Sequence, residues 1–308
     1  MPALDAADKT RILEVLGTLL FYARAIDSTM LTAIGELATE QFQATKTTME
    51  KLSQLLNYCA AHPDTTVRFT ASAMILAVES DASYLSVVNG RSRAAGYFFL
   101  TNKRASHNNQ YKLNGAVHVL CHIMQEVLSS AAEAELGALF HNGKEAWPLR
   151  IALEERGHPQ SATPMATDNN TERGIATDIV KQKRSKAIDM RFYWIRDRVR
   201  QGQFQIYWSK GQMNRAENFS KHHPASHHQA IRSTYLYSPT NPTQNYFECL
   251  ADTTPTLSTT VPSAKSLTIA CTDPGEGVLL SSGNPECHCD VTNDVTASHC
   301  QGHPICSS

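Results

Sequence analysis

The chain has 308 residues, 42% of them hydrophobic, and a formal net charge of −1 at pH 7. This is enough for one large domain or two ordinary ones with a sizeable core, while the near-neutral balance excludes a globally basic nucleic-acid binder, so any such binding must rest on a local patch. No apolar run reaches the roughly 18 residues of a membrane span, and the apolar stretch from Ile12 to Phe21 carries Glu14 and follows Asp5 and Asp8, unlike a secretory leader; an intracellular protein, cytoplasmic or nuclear, is expected.

Residues 1–65 read as helical. Apolar side chains recur at helical spacing in Ile12, Leu16, Leu19 and Leu20, then Leu31, Ile34 and Leu37, then Leu52, Leu55 and Leu56. Asp27 before Ser28 and Thr29 is a start signal, and Pro63 a stop. The pattern changes after Thr66. Met74 to Val78 is a short apolar run leading to Asp81, Asn89-Gly90 marks a turn, and Ala94 to Leu100 and Ala116 to Met124 read as two further strands. Together the three predict an antiparallel meander.

Ser130 with Glu133 fits a capping box, which opens a helix running to about Ala146; Pro148 then suits the first turn of a second, short helix. Thr163 to Thr167 is a fourth strand, with Asp168 at its end. Ile188, Phe192, Ile195 and Val199 mark one face of a longer helix, and Phe204, Ile206 and Trp208 alternate as a fifth strand. Asn214 opens a final short helix. The predicted architecture is α/β, with a five-stranded mixed sheet and flanking helices over residues 66–224. Beyond that the composition shifts to Ser, Thr, Pro, Asn and Gly, and residues 225–308 are expected to be a disordered tail.

Four acidic residues, Asp81, Glu135, Asp168 and Glu217, stand where a strand ends or a helix begins. Carboxylates gathered from such places can hold two divalent metal ions. Each has an ordinary role beside this one. Asp81 can simply close a strand. Glu133 and Glu135, two apart on a helix, point about 200° apart; Glu133 suits the cap at Ser130, which leaves Glu135 for a site. Asp168 can cap a helix, although Asn169 with Glu172 can do the same, and Asn214 with Glu217 has capping-box spacing. The basic run Lys181, Lys183, Arg184, Lys186, Arg191, Arg196, Arg198 and Arg200 is either a solvated helix face or a grip on phosphates. Asp189 is more simply an ion-pair partner of a neighbouring arginine.

The cysteines give no export pattern. Cys59 and Cys121 lie in the apolar part, while Cys249, Cys271, Cys287, Cys289, Cys300 and Cys306 lie in the tail. A reducing compartment without a disulfide framework is expected. The tail order, Cys287-His288-Cys289 then His299-Cys300, His303 and Cys306, matches no defensible zinc spacing.

Several segments carry a resemblance in the right order. They are Gly17-Thr18-Leu19-Leu20-Phe21-Tyr22-Ala23-Arg24, Ser80-Asp81-Ala82 with Gly96-Tyr97-Phe98-Phe99-Leu100, and Ser129-Ser130 with Glu133-Ala134-Glu135. Lys186-Ala187-Ile188-Asp189-Met190-Arg191 comes next, then Asn214-Arg215-Ala216-Glu217 with Ser220-Lys221. Over roughly residues 9–224 the chain resembles the C-terminal end of copia-type LTR retrotransposon polyproteins. The resemblance implies an RNase H fold and hydrolysis of the RNA strand of RNA–DNA hybrids with two magnesium or manganese ions. Carried over by motif, Asp81, Glu135, Asp168 and Glu217 would be the catalytic metal ligands, and Lys186 and Arg191 the best candidates to contact nucleic acid. Residues 1–65 would be the thumb-like end of a reverse transcriptase, whose polymerase part is a candidate partner. The chain has no Asp-Asp dipeptide, so a polymerase active site is not expected in it. It also departs from the pattern at Glu217, where the family has Asp: the added methylene moves the carboxylate by about 1 Å or more. The alternative is a catalytically degenerate remnant that at most binds nucleic acid.

Overall fold

The computed structural model describes residues 4–102, 111–169, 186–237 and 267–270. Three helices come first. Helix α1, Ala6–Ala25, starts where the Asp5 carboxylate accepts the amide of Asp8 at 2.8 Å. Asp27 caps a single tight turn in the same way before α2, Leu31–Glu40. A reciprocal Thr45–Thr48 capping box opens α3, Lys46–Ala61. Strands β1, Thr66–Phe69, β2, Ile75–Val87, β3, Arg91–Thr101, and β4, Ala116–Ile123, come after the helices. Then come α4, Ala131–Glu155, β5, Thr163–Thr167, α5, Lys186–Arg200, and β6, Phe204–Trp208. Two short helices, α6, Glu217–Ser220, and α7, Ala225–Tyr235, precede β7, Leu267–Ala270.

Strands β2 to β6 make one five-stranded sheet in the order β4-β3-β2-β5-β6. β2, β3 and β4 form the expected antiparallel meander, whereas β5 runs parallel to both β2 and β6. The mixed sheet with flanking helices is the predicted architecture. β1 and β7 pair separately, antiparallel.

Alternation along the central strands sends side chains into two layers. On one face Leu76, Val78, Phe98, Met165 and Ile206 pack with Leu139 of α4 and Ile195 of α5. On the other, Ala77, Ala95, Tyr97 and Phe99 share a core with Ile12, Leu16, Leu31, Ile34, Leu52, Phe219 and Tyr235. The N-terminal helices therefore bury their apolar stripe against the same sheet.

Two elements differ from the sequence reading. α4 is one 25-residue helix that passes through Pro148 rather than two helices. The proline removes one main-chain hydrogen bond, but the helix is held beyond it by Arg150, whose guanidinium donates to Thr163 Oγ1 at 2.9 Å and to the Gln160 carbonyl at 3.1 Å. Ordered structure also continues past residue 224: α7 lies within the stretch expected to be disordered, and its end buries Tyr235 and Leu236. The polar composition of this segment hid the helical spacing of His228, Ile231, Arg232 and Tyr235. The Cys/His segment from Cys287 to Cys306 lies outside the described residues.

Candidate metal centre

The parallel pairing of β2 with β5 runs through Val78–Met165 and Glu79–Ala166. Asp81 and Asp168 each stand two residues further along: Asp168 just past the end of β5, but Asp81 in the middle of β2, which runs on to Val87 rather than ending at Asp81 as the sequence suggested. The chain leaves β2 toward β3 and β4 on one side and returns through α4 to β5 on the other. Such a reversal of strand order is where open α/β sheets leave a crevice for ligands.

α4 delivers the third carboxylate. Ser130 Oγ accepts the amide of Glu133 at 3.1 Å, and Glu133 reaches back to the Ser129 amide at 2.6 Å. The cap thus occupies Glu133, and Glu135 on the following turn faces elsewhere. Carboxylate oxygens of Asp81, Glu135 and Asp168 lie within 4.8 Å of one another. Glu217 is not part of that group: its Oε1 is 2.7 Å from Lys221 Nζ.

The electrostatics come from this crowding. The Asp81 carboxyl is raised to about 7: burial is the largest cause and the charges of Asp168 and Glu217 add to it, while a Ser220 hydrogen bond and Lys221 oppose it. Asp168 is raised too, by burial first and then by Glu217. Glu217 therefore acts on the cluster through its charge. Three hard oxygen donors in a partly buried, self-repelling group fit a divalent cation of the magnesium type, and a cation there would relieve the repulsion that raises Asp81.

Residues other than the four acidic candidates tie the elements around the cluster together. Asn142 of α4 is fully buried and donates from Nδ2 to Ser80 Oγ and to the Ala95 carbonyl, both at 2.8 Å. It fits because it faces Gly96, where any side chain would collide with it. Asn214 donates to the Ser80 carbonyl at 2.7 Å and accepts the Ala216 amide at 3.0 Å, so it fastens the Glu217 loop to β2 instead of forming a capping box. Buried Glu79 accepts the Arg215 amide at 2.6 Å. Trp208 Nε1 donates to the Asp168 carbonyl at 2.9 Å. No local motif signals the long-range contacts among these, which join residues far apart in the chain.

Arg191 is engaged with Glu126 at 2.7 Å and lies over the Phe140 ring. The side chains of Lys186 and Asp189 lie outside the described residues, as does Glu172. Among the described residues no helix is long and apolar enough to cross a membrane.

No family model matches the chain. Over 150 residues, 49% of its length, it is 26% identical to the retrovirus-related Pol polyprotein from transposon TNT 1-94 of Nicotiana tabacum. That stretch is 10% of the relative, so the chain spans about a tenth of it. The similarity to a retrotransposon polyprotein read from the motifs is thereby borne out. Among solved structures, LC11-RNase H1 isolated from compost is similar at 11% identity and a TM-score of 0.35, over 47% of this chain and 92% of that one. The N-terminal RNase H domain of rv2228c from Mycobacterium tuberculosis gives 13% identity and a TM-score of 0.33, over 52% and 98%. Likenesses this loose carry no argument about the site.

Proposed function

We propose that the chain is the RNase H part of a copia-type retrotransposon polyprotein, with the end of a reverse transcriptase in residues 1–65. Its reaction is hydrolysis of the RNA strand of RNA–DNA hybrids, supported by two magnesium or manganese ions. The single observation that carries this reading is the convergence of carboxylate oxygens of Asp81, Glu135 and Asp168 within 4.8 Å of one another.

Asp81, Glu135 and Asp168 would hold such ions, which would supply an activated water and charge stabilisation for the departing 3′ oxygen. The protein's part is to hold ligands. Asp81 is fixed by the pairing of β2 with β3, Glu135 by the capped first turn of α4, and Asp168 by the Trp208 hydrogen bond to its carbonyl. Glu217 and Lys221 stand beside the cluster, with the glutamate as the fourth acidic group. Arg191 and Lys186 remain the candidate contacts to hybrid phosphates.

The test is cleavage of a hybrid with labelled RNA by the purified chain in magnesium or manganese. Cleavage of the RNA strand to 5′-phosphate ends, abolished by chelation, is the expected result. A second reading, a degenerate remnant that binds but does not cut, is favoured by Glu217 standing outside the three-carboxylate group and paired with Lys221. Hybrid binding without cleavage under either metal would select it.

A further inference from the structure

The hydrogen bonds of α7 run in two directions. At its C-terminal end the buried Tyr235 donates its hydroxyl to the Arg215 carbonyl at 2.9 Å, and its ring meets Phe219 edge-on at 5.2 Å between centroids. Arg215 and Phe219 bracket Glu217. The Arg215 amide in turn donates to Glu79, two residues before Asp81 on β2. A continuous line of contacts therefore leads from α7 through the 214–220 loop to the strand that carries the most buried ligand candidate.

One turn earlier, Arg232 Nε donates to Tyr58 Oη at 2.8 Å and Nη2 donates to Thr65 Oγ1 at 3.0 Å. The Tyr58 hydroxyl donates to Asp27 Oδ2 at 3.0 Å, and Asp27 is 1% exposed. Burying a carboxylate this deeply is costly unless hydrogen-bonding partners of this kind compensate it. The same helix thus grips both the N-terminal helices and the loop beside the carboxylates.

We infer that α7 is a positioning element for the metal centre: Arg232 anchors it to the buried Asp27–Tyr58 pair, and Tyr235 fixes the 214–220 loop against β2. Its catalytic consequence rests on the nuclease reading above, whereas its effect on the loop does not. Tyr235 touches none of the three clustered carboxylates. It acts through Arg215 and Phe219, and residues beyond 224 belong to the working unit.

The experiment uses the full chain with Tyr235→Phe, which keeps the ring and removes only the donor. In metal-free protein, amide exchange across 214–220 should be about 3- to 10-fold faster, the scale of one neutral hydrogen bond, with β2 and β3 unchanged. Manganese affinity, read by calorimetry, should weaken by a similar factor, and kcat should fall at unchanged KM. Tyr58→Phe, which loosens the far anchor, should give a smaller change of the same kind. Unchanged exchange in 214–220, or faster exchange spread evenly through the sheet, overturns the inference, as does a faster loop with unaltered manganese affinity. A wild-type chain that never cleaves hybrid defeats the nuclease reading alone, since the exchange and metal-binding results still decide the role of α7.

Discussion

Gly211 lies against the carboxylate of Asp168: a β-carbon on it would come within 2.9 Å of Oδ2. The glycine is needed here for space rather than for an unusual backbone angle. The atom it would meet is the free end of a side chain, so the fold can yield while the ligand cannot stay in place. Gly211→Ala should leave stability within about 0.5 kcal/mol. It should slow cleavage on the order of 100-fold, the cost of misplacing a reacting group by about 1 Å. Calorimetric titration with manganese should show weaker binding; unaltered binding and rate would mean that Asp168 is not a ligand.

Asp168→Asn keeps the shape of the side chain and the main-chain carbonyl that Trp208 uses, and removes one charge from the cluster. Cleavage should be lost. Without metal, the melting temperature should hold or rise, because Asp168 is one of the charges that push Asp81 upward. Metal should then add less stability than it adds to the wild type. Retained cleavage rules out the ligand assignment.

Asp81 gives a pH dependence with a defined sign. Its folded carboxyl is raised from 3.8 to about 7, by burial first. The folded state then binds the proton more tightly than the unfolded chain, so this group weakens the fold as pH rises from about 4 through 7. The loss is at most roughly 4 kcal/mol for a shift of that size. Asn cannot titrate. In chelator, the melting temperature of Asp81→Asn relative to wild type should therefore climb between pH 5 and pH 8. Magnesium should stabilise the wild type more at pH 8 than at pH 5. A flat difference between the two proteins across that range would show that Asp81 is not held protonated.

Asn142 tests how the sheet and α4 are locked beneath the site. It is fully buried, and its amide serves Ser80 Oγ and the Ala95 carbonyl. Asn142→Ala leaves both acceptors without this donor and opens a void, which should cost about 2–4 kcal/mol. Urea unfolding measures it, and a cost below about 1 kcal/mol would show that the lock is slack.

Much of the fold was legible where local pattern and packing agree. β6, at the edge of the sheet, announces itself by alternation, whereas β2 and β3, buried on both faces, show as apolar runs. Glu133 and Glu135 could be told apart by helix geometry alone, and the cap at Ser130 is where that geometry puts it. The failures share a physical cause, which is that a distant partner decides the outcome. Pro148 sits inside a helix because Arg150 anchors the C-terminal turns of α4 to β5. Asn142 is invisible without Gly96, and α7 is written in polar residues of which Arg232 satisfies Tyr58 and Thr65, 174 and 167 residues away in the chain. The ordinary reading of Asn214 failed for the same reason, since the asparagine found Ser80, whereas Glu217 found a local partner in Lys221.

That last pairing makes position 217 the sharpest test of activity. Glu217 and Lys221 are an i,i+4 ion pair with side chains 36% and 47% exposed, so the pair itself is worth little to stability. Its importance is geometric. The longer side chain lets the carboxylate turn to the lysine, and the charge still reaches Asp81 and Asp168 from outside their group. Glu217→Asp withdraws the carboxylate from Lys221 and brings it closer to its own backbone, which Asn214 and Ser220 hold against β2 at Ser80 and Ser83. If four carboxylates make the working centre, cleavage should rise by about tenfold or more. Unfolding free energy should move by no more than about 0.5 kcal/mol. An unchanged rate in a chain that does cleave would put Glu217 outside the reaction and leave Asp81, Glu135 and Asp168 as the complete ligand set.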